Sequence, residues 1–154
     1  MKISKKSDKF SGLVELINNE VIFKSNGNII DKFLISNVKV IAEFTTDSDM
    51  SGNDYFLVFV ENDNVIHYVP VYAQNFENFI QEIEVILNLK ITFSLANSIR
   101  INSNIIFPKD FQNRKLFQFV TVEPTGFWQT LFVIFSKIKP TKLQLAEYII
   151  HYKK

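Results

Sequence analysis

The acidic stretch at 47–54 carries a residue spacing that could bind calcium. Its sequence, DSDMSGND, alternates short oxygen ligands and has a glycine where the loop turns sharply, as an EF-hand loop does at its start. An EF-hand also needs a bidentate carboxylate at its twelfth position, where this chain has Val58. The alternative is a solvated hairpin loop whose side chains bond their own backbone. The candidate calcium ligands are Asp47, Asp49, Ser51 and Asp54.

No residues close in sequence form a recognisable catalytic group. The chain has no cysteine, and neither His67 nor His151 lies near a serine in a nucleophile elbow. Glu82 and Glu84 are two positions apart on a predicted helix, so their side chains point to different sides. We therefore expect no catalytic residue and no cofactor. An enzyme would need a site assembled from residues distant in the chain.

Charge is divided unevenly along the chain. Residues 1–97 carry a net charge of −5 and residues 98–154 a net charge of +6, within a total of +1. Such halves could attract each other or contact different partners, although surface charge is often only solvated. The candidate interface residues are the acidic Glu77, Glu82 and Glu84 and the basic Lys137, Lys139 and Lys142.

An aromatic pair, Phe127 and Trp128, directly follows a Pro-Thr-Gly sequence that favours a tight turn. At the tip of a loop the pair would be a natural interface anchor. The alternative is that the two residues begin a strand and are buried in the core, as large aromatic residues usually are.

The composition limits the classes of protein to consider. A chain of 154 residues makes one ordinary domain or two small ones, and its 16 phenylalanines supply bulky core material. The N-terminal lysines are not followed by an apolar region, and no apolar run is long enough to span a bilayer. We therefore expect a cytoplasmic protein without a transmembrane segment. The basic and aromatic residues of the second half only weakly suggest nucleic-acid binding, which we do not expect.

The elements that would position these residues are mainly strands. We expect residues 1–11 to be a flexible, polar N-terminal arm. Six β-rich runs follow between residues 13 and 72, separated by turn sequences such as Asn18-Asn19 and Asn26-Gly27. Pro70 places the last of these strands at a sheet edge or a bulge. The spacing of apolar residues predicts an amphipathic helix over 75–89, with Asn75 as its N-cap.

The second half reads as a shorter version of the first. Strand-like sequence resumes at 90–102, INSNIIF at 101–107 echoes INNEVIF at 17–23, and an amphipathic helix is predicted over 141–152 with Thr141 as its N-cap. The half at 90–154 could thus be a degenerate repeat packed on the first. The alternative is a single α+β domain with two helices on one curved sheet.

Residues 12–89 resemble the pleckstrin-homology-like superfold, in particular its GRAM and bacterial variants. The resemblance lies in the EVIFKSNG hairpin, the Ser-Asn-Val entry to the next strand and the closing helix NFENFIQEIEVIL. It implies a mostly antiparallel bent sheet or barrel closed by a helix, and so an α+β fold. Phosphoinositide binding in that family usually relies on a basic first loop. Here that loop is Asn18-Asn19 between Glu15 and Glu20, so we do not expect this activity.

Together these observations predict a non-catalytic binding or regulatory module that acts through protein–protein contacts, at a strand edge or an apolar groove. Self-association and inhibition of a basic toxin, as by an immunity protein, are possible forms of this function. The alternative is peripheral binding to a membrane surface through the basic half, with Tyr148, Ile149 and Tyr152 facing lipid.

Overall fold

The computed structural model describes residues 12–46, 55–96, 98, 100–121 and 141–154. In these residues the protein has an α+β fold built mostly of antiparallel strands, as predicted. Short 3₁₀ turns occur at Ile35–Asn37 and Lys109–Phe111. The strands and helices are β1 (Leu13–Ile17), β2 (Glu20–Ser25), β3 (Asn28–Leu34), β4 (Val38–Thr45), β5 (Tyr55–Glu61), β6 (Ile66–Pro70), α1 (Phe76–Leu87), β7 (Asn102–Phe107), β8 (Phe117–Thr121), β9 (Thr141–Leu145) and α2 (Glu147–Ile150).

The first sheet is a three-stranded meander in the order β1-β2-β3. Both of its hairpins turn through two residues, and Asn18, Asn19, Asn26 and Gly27 all have positive φ. Asparagine and glycine accept this conformation at low cost, and it matches the right-handed twist of the strands. The structure therefore has both turns at the positions predicted from the sequence.

The second sheet has four strands in the order β6-β5-β4-β7. β4 and β5 are central, and every residue of β4 is buried, including the charged Lys39 and Glu43. β6 is an edge strand and ends at Pro70, whose missing N–H needs no partner there. β7 comes from the second half of the chain and pairs with β4 of the first, so the two halves share this sheet. Whether the halves arose by duplication stays a prediction.

Apolar residues cover both faces of the second sheet. One core lies between the two sheets and α1, and includes Val14, Phe33, Phe59 and Phe79. The other lies beneath β8, β9 and α2, on the opposite face of the second sheet. Within the described residues, the three sheets are separate and no strand pairing closes them into a barrel. The general α+β class is thus confirmed, whereas a closed barrel is absent from this part of the chain.

The helix α1 lies at the predicted place, but its N-terminus is not capped as expected. Asn75 has a left-handed conformation, and its side chain accepts no hydrogen bond from the backbone of the first turn. The side-chain amide instead donates to the carbonyl of Val14 at 3.1 Å, which ties the start of α1 to β1. The cap prediction was wrong because a tertiary contact uses the side chain differently.

The prediction of a helix over 141–152 was also wrong for the first half of that range. Thr141–Leu145 is the strand β9, paired with β8, and the helix α2 is only Glu147–Ile150. Leu143 and Leu145 fit an alternating pattern as well as a helical one, and β8 supplies the backbone partners that decide between them. The strand expected over 90–102 begins only at Asn102, and residues 90–96 have no regular structure.

Candidate functional site

A surface groove with a volume of about 560 Å³ runs between the edge strand β1 and the exposed side of α1. Its lining combines aliphatic side chains with side-chain amides and a single carboxylate. The lining residues are Leu16, Asn18, Asn19, Asn78, Gln81, Glu82, Val85 and Ile86.

The β1 edge offers backbone hydrogen-bonding groups to this groove. Ile17 and Glu20 are paired across the two-residue turn, so the alternate residues of β1, including Glu15, are bonded to β2. Val14 and Leu16 must therefore direct their N–H and C=O groups away from β2. Among the residues that the structure describes, Leu16 has no backbone or side-chain partner for these groups on that side.

The preceding part of the same edge is already covered by the chain itself. The stretch before α1 forms a parallel bridge with β1, with Gln74 opposite Leu13. The N–H of Val14 donates to the carbonyl of Gln74 at 3.1 Å, and the N–H of Gln74 donates to the carbonyl of Gly12 at 2.8 Å. The chain then turns into α1 and leaves β1, so strand pairing at this edge stops before Leu16.

The opposite wall of the groove is the solvent-facing side of α1. The apolar face of the helix, with Phe79 and Ile83, is buried in the core. Val85 is nevertheless 80% exposed and Ile86 43% exposed, although both are aliphatic. Exposed aliphatic residues next to an unpaired strand edge are the features that protein segments use when they add a strand to a sheet.

Among the described residues, the ionisable group with the most hydrogen-bond donors is Glu43 on β4, which is fully buried. Its carboxylate accepts hydrogen bonds from the hydroxyls of Tyr55 and Ser94, both at 2.5 Å, from the backbone N–H groups of Ser94 and Leu95 at 3.0 Å, and from the amide of Asn104 at 2.8 Å.

These bonds decide the ionisation of the group. Burial alone would raise the pKa of Glu43, but the hydrogen bonds from Ser94, Tyr55, Asn104 and Leu95 outweigh burial and lower it. Burial and the contact with Glu43 raise the pKa of Tyr55. Glu43 is therefore held as a carboxylate and anchors residues 94–95 to β4. A general base needs a higher pKa and an accessible oxygen, and the buried carboxylate of Glu43 has neither.

Lys39 is the second fully buried charged residue of β4. Its ammonium group donates to the side-chain carbonyl of Asn64 at 2.7 Å and to the backbone carbonyls of Ile149 and Tyr152 at 2.8 and 2.9 Å. Burial lowers the pKa of Lys39, and the nearby charge of Asp63 opposes this only in part. Lys39 therefore fastens the C-terminal segment to the second sheet, at the end of α2.

His67 on β6 is 8% exposed and joins the two large sheets. Its Nδ1 lies 3.0 and 2.9 Å from the carboxylate oxygens of Asp31 on β3, and its ring stacks on Phe33 at a centroid distance of 4.1 Å. Its Nε2 is buried, lies 3.9 Å from Glu61, and has no hydrogen-bond partner within the described residues. The enclosed ring lacks the access to substrate that a general base needs.

The acidic interface candidates are dispersed along α1. Glu77 and Glu82 are exposed, and Glu82 lines the groove. Glu84 is used internally, because it pairs with Lys90 at 2.9 Å and accepts the N–H of Ile91 at 2.8 Å.

Of the remaining candidates, one lies in the described part of the chain. Lys142 is exposed on β9. The candidate calcium ligands Asp47, Asp49, Ser51 and Asp54 lie outside the described residues, as do Phe127, Trp128, Lys137 and Lys139. In the described part of the chain, no three His, Asp or Glu side chains are grouped so that they could hold a metal ion.

Three residues of the second half would have to face lipid if the protein bound a membrane surface. Ile149 is fully buried, and Tyr148 and Tyr152 pack against the second core. The ammonium group of Lys154 donates to the carbonyl of Val38 at 3.0 Å. Among the described helices, none has the length and apolar character needed to cross a membrane.

Sequence reasoning predicted a strand edge or an apolar groove only in general terms, with Glu82 as the one lining residue among its candidates, and it missed Glu43 and Lys39. The two charged residues did leave a signal, since each interrupts the apolar run VKVIAEF at a position that a buried strand would fill with an apolar side chain. The groove left no signal of this kind, because it depends on how α1 packs beside β1.

Comparison with known proteins gives no family assignment. No protein-family model matches the chain, and neither curated proteins nor solved structures include a significant match.

Proposed function

We propose that this protein is a non-catalytic binding module that holds an extended segment of a protein partner in the groove between β1 and α1. The observation that carries the proposal is the interrupted edge of β1. Strand pairing covers Val14 and stops before Leu16, at the point where the groove opens. A segment lying there would satisfy the outward N–H and C=O of Leu16 and cover Val85 and Ile86.

The ionisable groups support a binding role over a catalytic one. The buried titratable side chains of the described residues are Glu43, Lys39, His67 and Tyr55, and each is bonded to another part of the chain. None of them lines the groove. The groove itself offers amides, one carboxylate and aliphatic surface, which suit recognition.

We also infer that residues 12–89 form a pleckstrin-homology-like unit in the cytoplasm. In support, a three-stranded meander, β1–β3, is followed by a second run of three antiparallel strands, β4–β6, and by the helix α1, which packs against both. An experimental structure that places α1 away from the two sheets would contradict this inference.

The binding proposal is tested by selecting peptides from a random dodecapeptide library displayed on phage, with the immobilised full chain as bait. We expect extended sequences to be selected and to bind Val85→Arg at least about tenfold more weakly, since a long cation would occupy the groove. Val85 is largely exposed, so this variant should fold normally.

Val65→Arg is the matched control, because Val65 is also an exposed valine but lies outside the groove. We expect it to bind the selected peptides like the wild type. Peptides methylated at alternate backbone nitrogens should lose affinity in one of the two registers, since strand addition uses every second N–H. Failure to select any peptide, or equal binding by Val85→Arg, would refute the proposed site.

A further inference from the structure

The charge and the polar groups of the groove lining indicate which kind of segment it binds. Of its eight lining residues, Glu82 is the one with a formal charge, and four others are side-chain amides. Glu82 makes no ion pair with the residues that the structure describes. Glu77 is a second exposed carboxylate of α1, and no lysine or arginine in the described part of the chain lines the groove.

The spacing along α1 adds a second constraint. Glu82 precedes Val85 by three positions and Ile86 by four, so the three side chains share one side of the helix, with the Cβ atoms of such neighbours about 5–6 Å apart. In an extended segment, side chains on the same side recur every second residue, at about 6.6–6.8 Å. One segment can therefore place an aliphatic side chain on Val85 and Ile86 and another side chain beside Glu82.

We propose that the groove selects extended segments in which a lysine or arginine is separated by one residue from an aliphatic residue. The inference rests on the proposed function, and adds the class of partner to it. The aliphatic side chain of the segment covers Val85 and Ile86, and its backbone forms hydrogen bonds with the backbone of Leu16. Its cation pairs with Glu82, and the side-chain carbonyls of the neighbouring amides accept hydrogen bonds from the remaining N–H groups of the cation. A second copy of this chain would instead bring its own acidic α1 against the groove.

The test uses the sequences recovered from the phage selection, together with a charge reversal. We expect wild-type protein to select peptides with the basic-x-aliphatic spacing in either direction. A selected peptide should bind Glu82→Lys on the order of fivefold to tenfold more weakly, and this difference should shrink as salt screens the pair. Selection on Glu82→Lys should recover peptides with an acidic residue at that position.

Glu77→Lys is the matched control, since Glu77 is an exposed carboxylate of the same helix that does not line the groove. We expect it to keep the wild-type preference. Recovery of peptides with no basic enrichment, or equal affinity for Glu82→Lys and wild type, would overturn the inference while the groove still binds. Recovery of no peptides, or of peptides insensitive to Val85→Arg, would overturn the proposed function and the inference with it.

Discussion

Glu43 and Lys39 lie on the same central strand and are both fully buried, yet they are stabilised in different ways. Glu43 receives enough hydrogen bonds to lower its pKa despite burial, whereas burial remains the larger influence on Lys39. Glu43 holds residues 94–95 on the side of the first core, and Lys39 holds residues 149–152 on the side of the second.

This comparison shows what buried charge does in this molecule. The segments at 90–96 and 146–152 contain little or no strand pairing, so their backbone groups need partners from elsewhere. A carboxylate accepts hydrogen bonds from N–H groups, and an ammonium group donates them to carbonyls. Glu43 can therefore bind the N–H groups of one segment, and Lys39 can bind the carbonyls of the other. Ionisable groups with shifted pKa values often mark active sites, but here Glu43 and Lys39 each hold a segment of the fold in place.

The largest expected effect is the loss of the Glu43 carboxylate. Glu43→Leu removes the carboxylate that accepts from the hydroxyls of Tyr55 and Ser94, the amide of Asn104 and two backbone N–H groups. We expect the free energy of unfolding to fall by about 3–5 kcal/mol, measured by urea denaturation. Glu77→Leu, at an exposed carboxylate in the first turn of α1, is the control and should change it by less than about 1 kcal/mol. Equal stability of the two variants would show that Glu43 is not an anchor.

The loss of the Lys39 ammonium group should cost less. Lys39→Met keeps most of the side-chain volume and leaves the carbonyls of Ile149 and Tyr152 without this donor. We expect a loss of about 1–3 kcal/mol, because the charged form of Lys39 already carries the cost of burial. Amide hydrogen exchange should rise mainly at 147–152. Lys142→Met, at an exposed lysine, should leave the exchange at 147–152 unchanged. If exchange at 147–152 were the same in Lys39→Met as in Lys142→Met, Lys39 would not anchor this segment.

The smallest effect is the pH dependence, which should have a different form for each residue. The pKa of Glu43 is lowered by folding, so its stabilisation is complete above the ordinary value of 4.5 and is lost as pH falls through the folded-state value. The pKa of Lys39 is also lowered, so between its folded-state value and 10.5 the unfolded chain binds more protons and stability rises with pH.

Urea denaturation from about pH 3 to pH 6 and from about pH 8 to pH 10.5 measures both contributions. Relative to Glu43→Gln, wild-type protein should lose stability on acidification. Relative to Lys39→Met, it should gain stability toward the alkaline end. If both difference curves were flat, the two groups would have equal proton affinities in the folded and unfolded chain.

Local patterns in the sequence were sufficient for some of these features. The positive-φ turns at Asn18 and Asn26 follow from the small cost of that conformation for asparagine, and the helix α1 follows from its apolar spacing. They were insufficient at 141–145, where the spacing of Leu143 and Leu145 suits a strand as well as a helix. The candidate site was predicted only as a strand edge or apolar groove, and Glu82 was the one lining residue among the predicted interface candidates.

The sequence by itself determined the α+β class, the turns and the main helix, because these depend on neighbouring residues and their periodicity. Tertiary structure alone decided the use of the polar residues. Asn75 bonds β1 instead of capping α1, and Glu43 and Lys39 hold segments more than 50 residues away. The groove at Leu16 also exists only because α1 leaves the edge of β1 after one parallel bridge. Such contacts join distant residues, which no local pattern encodes.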